Sequence, residues 1–259
     1  MMFWLLGAVL LAVLLPAAYR WQFWRLPHKG LLCLMYHHIG QADPADGQFA
    51  FTISPQRFEQ QLDVLRRHGF TPVGLDALAR AAQTGRKTPS RPVLLTFDDG
   101  HLDNYTQLFP LLQKHQVPAL IFLVTDFIGH KPDYLTWKQV REMQQSGLVE
   151  FGSHTCSHAR LRKISDEEIR REVSRSKKEI EQRLGVPCRA FCYPFGSGGF
   201  DKRVRPLVRA AGYAYDFSTK PGINPWPYKG KKTLLRAFPR GGESLTDFYI
   251  QITRGKSKF

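Results

Sequence analysis

Two short runs hold residue types that could do chemistry. The first is Thr96-Phe97-Asp98-Asp99-Gly100, where an apolar run ends in two adjacent carboxylates and a glycine. Adjacent acids repel one another unless a cation or a proton sits between them. An Asp-Gly turn accounts for Asp99-Gly100 but leaves Asp98 idle. The second run is Ser153-His154-Thr155-Cys156-Ser157-His158. Two histidines four apart, beside small polar residues, can present both imidazoles to one metal. Such a pair also occurs by chance. Joined to a carboxylate at another strand end, it becomes a His-His-Asp triad with open positions, the ligand set of a hydrolytic zinc or ferrous-type centre. The other aspartate is then free to act as general base.

Both runs must be positioned by regular structure. Apolar, strand-like runs fall at 31–36, 93–97, 119–124, 149–152, 189–193, 213–217 and 234–238. Amphipathic segments lie between them. Residues 55–68 put Phe58, Leu62 and Leu65 on one face, and 104–115 do the same with Leu108, Leu111 and Leu112. The clearest helix opens at Ser165 with Glu168 three residues later, and closes before Gly185 and Pro187. Its apolar stripe is Ile169, Val173, Ile180 and Leu184. Strands alternating with helices predict an α/β fold with a parallel sheet, open or closed into a barrel. Chemistry in such folds gathers at the C-terminal ends of strands.

Together with Tyr193-Pro194-Phe195-Gly196, the two runs resemble the polysaccharide deacetylase family (carbohydrate esterase family four, NodB homology) over roughly residues 30–245. The resemblance implies a distorted (β/α)7-type barrel. It also implies metal-dependent removal of an N-acetyl group, or in some members an N-formyl or O-acetyl group, from a sugar. It makes Asp98 the base, and Asp99, His154 and His158 the metal ligands. Tyr193 and Phe195 fall in the motif that contacts substrate and the oxyanion, through a backbone N–H beside Phe195. Zinc is the expected ion; iron, cobalt and nickel suit the same ligands.

Two departures stand out. Where the family has an arginine that orients the base, this chain has Cys192, and the late Leu-x-His motif that supplies the acid is replaced by Leu234-Leu235-Arg236-Ala237-Phe238. Arg236 is the candidate for the missing arginine. A subgroup resembling poly-N-acetylglucosamine deacetylases takes its acid from an early Tyr-His-x-Ile sequence. Tyr36-His37-His38-Ile39 matches it and makes His37 the acid, with His101 as the alternative. His38 is either structural or a support to these groups. A catalytically silent glycan-binding homologue is the reading from another class.

Residues 1–19 contain no charged side chain, and a helix of that length spans about 28 Å, close to the hydrocarbon thickness. Arg20, Trp21, Trp24 and Arg25 follow as an interfacial belt. This predicts a single transmembrane anchor with its flank (1–26), followed by the catalytic domain (27–259). A cleaved signal peptide fits less well, because no basic residue precedes the apolar run. The Lys/Arg bias puts the domain on the cytoplasmic side of the inner membrane. The net charge of +15 suits an anionic partner. No zinc finger, RRM or basic-zipper pattern is present, so nucleic acid is not expected. The expected partner is an anionic or lipid-linked glycan, such as a lipid-linked saccharide, a lipopolysaccharide core or an exopolysaccharide. Trp137, Tyr193, Phe195, Trp226 and Tyr228 are candidates to stack on sugar rings, although core packing accounts for most such residues.

Overall fold

A computed structural model describes residues 12, 14–16, 29–86 and 89–255. Its strands are β1 (Leu32–Tyr36), β2 (His38–Ile39), β3 (Thr52–Ile53), β4 (Thr71–Pro72), β5 (Pro92–Phe97), β6 (Ala119–Leu123), β7 (Val149–Ser153), β8 (Ala190–Cys192) and β9 (Tyr215–Phe217). Its helices are α1 (Pro55–Arg67), α2 (Leu75–Thr84), α3 (Phe109–His115), α4 (Trp137–Gln145), α5 (Asp166–Leu184), α6 (Val204–Ala210) and α7 (Leu245–Arg254). The expected membrane anchor, 1–26, falls almost wholly outside the described residues. Among those described, no helix is long and apolar enough to cross a membrane.

Seven strands form one parallel sheet in the order β1-β5-β6-β7-β8-β9, with β4 beside the start of β5. Alternate residues serve opposite faces, as the pleat requires. Leu32, Leu34, Val93, Leu95 and Ile121 join the larger core cluster beneath the helices. Cys33, Leu94, Leu120, Phe122 and Cys192 join the smaller one. Burial on both faces explains why these strands read as unbroken apolar runs.

The expected seventh strand, 234–238, forms only isolated bridges, one to Phe217 and one to Leu34. Leu234 exchanges backbone hydrogen bonds with Asp216 and Ser218, and Ala237 with Cys33 and Met35. The segment therefore stitches β9 to β1 and closes the curled sheet without a regular ladder. Between those contacts the Arg236 amide bonds to the Lys220 carbonyl instead.

The helix after Ser165 forms as its capping box predicts, and ends at Gly185 with φ +68°. Such a cap is worth about 1 kcal/mol. The expected helix 104–115 is divided into a π-helical turn, Asn104–Leu108, and then α3. π-turns recur at functional sites, and this one lets the Asn104 amide reach the His37 carbonyl at 3.0 Å. Helices α2, α4, α6 and α7 were not singled out by periodicity.

Candidate active site

Register brings the chemistry to one end of the sheet. Tyr36 of β1 pairs with Phe97 of β5, so His37 and Asp98 leave the sheet at the same level. The Asp98 amide continues that ladder to the Tyr36 carbonyl (2.9 Å), and the His154 amide does the same to the Leu123 carbonyl (2.8 Å). Among described non-glycine residues, Asp99, Thr155, His158 and Phe195 adopt positive φ, with Gln116 at the end of α3 as the fifth. Each such residue costs on the order of 1–3 kcal/mol, and such strain clusters at functional sites. Gly100, at φ +78°, lies so close to Leu123 that a Cβ would come to 2.8 Å of its side chain.

The 154–158 loop is held by a residue that sequence reasoning passed over. Glu172 on α5 is buried. Its carboxylate accepts the amides of Cys156 (2.9 Å) and Ser157 (3.0 Å) and the Ser157 hydroxyl (2.9 Å). A glutamate on the same face as Ile169, Val173 and Ser176 was the available signal, since an unpaired charge is not buried in an apolar stripe.

Asp99, His154 and His158 come together with one ligand atom from each lying within 4.8 Å of the others. Asp99 Oδ1 is 3.4 Å from His154 Nε2 and 3.3 Å from His158 Nε2. It is nevertheless a buried acceptor without a hydrogen-bond partner. His154 Nδ1 donates to the Cys192 carbonyl at 2.8 Å, which leaves Nε2 with its lone pair facing the centre. Lone pairs converging on a shared point, with an orphaned buried oxygen, suit a divalent cation. Burial works to raise the pKa of Asp99, but the hydrogen bond from His101 and the neighbouring imidazoles hold it well below the carboxylate range. Burial, then the neighbouring His154, lowers His158 to about 4. Both residues thus sit in the deprotonated form that a metal needs.

Asp98 is arranged for something else. It is buried, and Arg236 grips it with two hydrogen bonds, Nη1 to Oδ1 (2.6 Å) and Nη2 to Oδ2 (2.7 Å). Arg236 is itself wholly buried, and also donates to the Ser218 carbonyl (2.9 Å) and Thr96 Oγ1 (3.0 Å). Burial pushes the Asp98 pKa up, but the charge and hydrogen bonds of Arg236 outweigh it and keep the group ionised. Cys192 Sγ lies 3.0 Å from Arg236 Nη2 and 3.6 Å from Asp98 Oδ2. Burial raises this thiol well above its ordinary pKa. Asp98, His154 and Cys192 also lie close enough to suggest a metal set. The guanidinium and the protonated thiol argue against a cation there.

These groups face a cleft of about 680 Å³, lined among others by His37, Asp98, Asp99, His154, His158 and Phe195. The His37 ring lies against Phe51 (5.0 Å) and Phe238 (5.6 Å), and its Nδ1 is buried without a partner. Burial lowers its pKa, although Asp98 and Asp99 pull the other way. His101 also lines the cleft, but its Nε2 is 3.3 Å from Asp99 Oδ2. Its ring stacks on His38 at 3.8 Å, and His38 Nδ1 is 2.6 Å from Asp103.

Of the five aromatic candidates for sugar stacking, the cleft receives only Phe195, half exposed and capped by Arg160 at 3.6 Å. Tyr193 does not reach it as a side chain: it is fully buried and donates to Asp216 at 3.3 Å. Trp137 and Tyr228 are buried, and the buried Trp226 donates to the Pro89 carbonyl.

A sequence model of the family described as polysaccharide deacetylase matches residues 85–215, and the chain belongs to that family. The poly-beta-1,6-N-acetyl-D-glucosamine N-deacetylase of Escherichia coli (strain K12) is 27% identical over 277 aligned positions, covering 90% of this chain but 40% of its own length. The chain therefore spans well under two thirds of that relative. A Staphylococcus aureus (strain MSSA476) protein of the same name is 28% identical, covering 72% of this chain and 71% of its own. Among solved structures, the Streptococcus pyogenes deacetylase PplD in complex with acetate superposes with a TM-score of 0.77 at 26% identity, over 88% of this chain and 99% of that one.

Proposed function

We propose that the chain is a metal-dependent deacetylase that removes N-acetyl groups from an amino sugar in a membrane-associated glycan. The observation that carries this reading is the convergence of Asp99, His154 and His158 on one point, with Asp99 Oδ1 buried and unpartnered. The relatives' names support N-acetylglucosamine as the sugar, and the acetate held by PplD matches the expected product.

A divalent ion held by these three residues, with zinc the first candidate, would polarise the amide carbonyl and lower the pKa of an attacking water. Asp98, ionised and oriented by Arg236, takes the water's proton. The backbone N–H beside Phe195 stabilises the oxyanion. His37 delivers a proton to the departing amine nitrogen. The buried, unpartnered Nδ1 of His37 and its lowered pKa favour a second division of labour. In that version neutral His37 takes the proton from water and passes it to the amine, while Asp98 stabilises the imidazolium.

Residues 1–19 anchor the chain in the inner membrane, and the Lys/Arg bias places the catalytic part in the cytoplasm. A lipid-linked saccharide is then the substrate at hand. Acetate release from N-acetylglucosamine oligosaccharides by the purified protein, with and without metal, tests the reading. No release under any metal condition removes it in favour of a silent glycan-binding protein.

A further inference from the structure

Among the described residues, a second cavity lies away from the Asp-His-His cluster. It measures about 920 Å³ and is walled by the end of α6, the 199–202 turn and the 224–233 segment. Lys202, Lys220, Lys229, Lys231 and Lys232 line it, and all five are exposed. None of these five pairs with a carboxylate among the described residues. Asp201, also in the wall, is 3.2 Å from Arg162. Arg205 and Arg209 share the single buried carboxylate of Asp216, at 3.0 and 3.5 Å. The apolar part of the wall includes Phe200, 56% exposed, with Lys220 Nζ 5.0 Å above its ring.

The cavity also sits where the chain enters the barrel. Asn224 lines it and exchanges two backbone hydrogen bonds of 2.9 Å with Leu31. Gly30 packs so closely that a Cβ would come to 2.2 Å of the Asn224 carbonyl oxygen. The ten residues before Gly30 add Arg20, Arg25 and Lys29, and the charge-free run 1–19 precedes them. An exposed aromatic among unpaired lysines, at the root of an apolar segment, has the chemistry of a membrane interface.

We infer that this cavity and its lysine rim are a docking surface for an anionic phospholipid membrane, and that docking fixes the catalytic cleft beside the lipid surface. Lys220 lines the cavity, and its neighbours Thr219 and Pro221 line the cleft. The inference rests on the reading of 1–19 as an anchor, and the experiment separates the two.

The full chain is mixed with vesicles of phosphatidylcholine alone, or with about a third phosphatidylglycerol. It is then floated and labelled with a water-soluble amine-acetylating reagent. The docking surface predicts several-fold slower labelling of Lys202, Lys229, Lys231 and Lys232 on anionic vesicles, with Lys138 unchanged as the internal reference. About 0.5 M salt should restore the rate, because it shortens screening to a few ångströms. In the K229Q/K231Q/K232Q variant, whose unfolding midpoint should match the parent, the protection of Lys202 should disappear. Labelling that ignores lipid charge overturns the inference, as does protection by a soluble anionic polysaccharide but not by vesicles. Flotation with neutral vesicles without charge-dependent protection leaves the anchor standing and removes the docking surface. Protection on anionic vesicles without flotation on neutral ones does the reverse.

Discussion

Arg236 meets Asp98 as a two-point fork, at 2.6 and 2.7 Å, with both side chains shut away from solvent. The arginine comes from the segment that stitches β9 to β1, and its Nη2 lies 3.0 Å from Cys192 Sγ. Arg236→Ala leaves Asp98 buried and unpaired, which costs about 3–5 kcal/mol of stability, readable by urea unfolding. Arg236→Lys keeps the charge and loses the fork, so kcat should still fall by roughly tenfold or more. An Arg236→Lys enzyme with parental kcat would show that the fork does not position Asp98.

Asp98→Asn should retain one bound metal and lose about 10²–10⁴ in turnover, the usual cost of a missing base. Metal titration followed by a rate measurement on the same sample reads both. Loss of the metal along with the rate would mean that the two aspartates share the ion.

The pH profile divides the two roles of His37. Burial sets its folded pKa below the ordinary 6.5. As a donor that must start protonated, it predicts activity falling as pH rises through that lowered value. As a group that starts neutral, it predicts activity rising over the same window. Stability has one sign in both cases. The unfolded chain binds the proton near 6.5 and the folded chain only lower, so stability declines as pH drops below 6.5 and levels off beneath the folded pKa. His37→Gln should flatten that part of the decline in a urea series. An unchanged slope would place His37 in contact with solvent.

Membrane topology follows from reporter fusions at Phe259, one active only inside the cell and one only outside. The cytoplasmic reporter should respond. A periplasmic signal alone would move the substrate to an exported polymer.

The sheet was legible because strands buried on both faces leave unbroken apolar runs, and the cluster because Asp98, Asp99, His154 and His158 sit at strand ends in short polar runs. The bridges at Leu234 and Ala237 were overread as a strand, since two isolated pairings need the same apolar residues as a ladder. Glu172 was hidden in a charged helix, where its burial depends on the loop folding over it. The turn of Tyr193 away from the cleft is set by Asp216, 23 residues on, which no local pattern reveals.

The most direct test of the account is acetate release from a β-1,6-linked N-acetylglucosamine oligosaccharide, measured on metal-stripped protein titrated with zinc. The account predicts no release without metal and activity that saturates at one zinc per chain. It also predicts that Asp99→Ala, His154→Ala and His158→Ala neither bind the ion nor turn over. Full activity in the stripped protein, or a saturating stoichiometry unaffected by those substitutions, would contradict it.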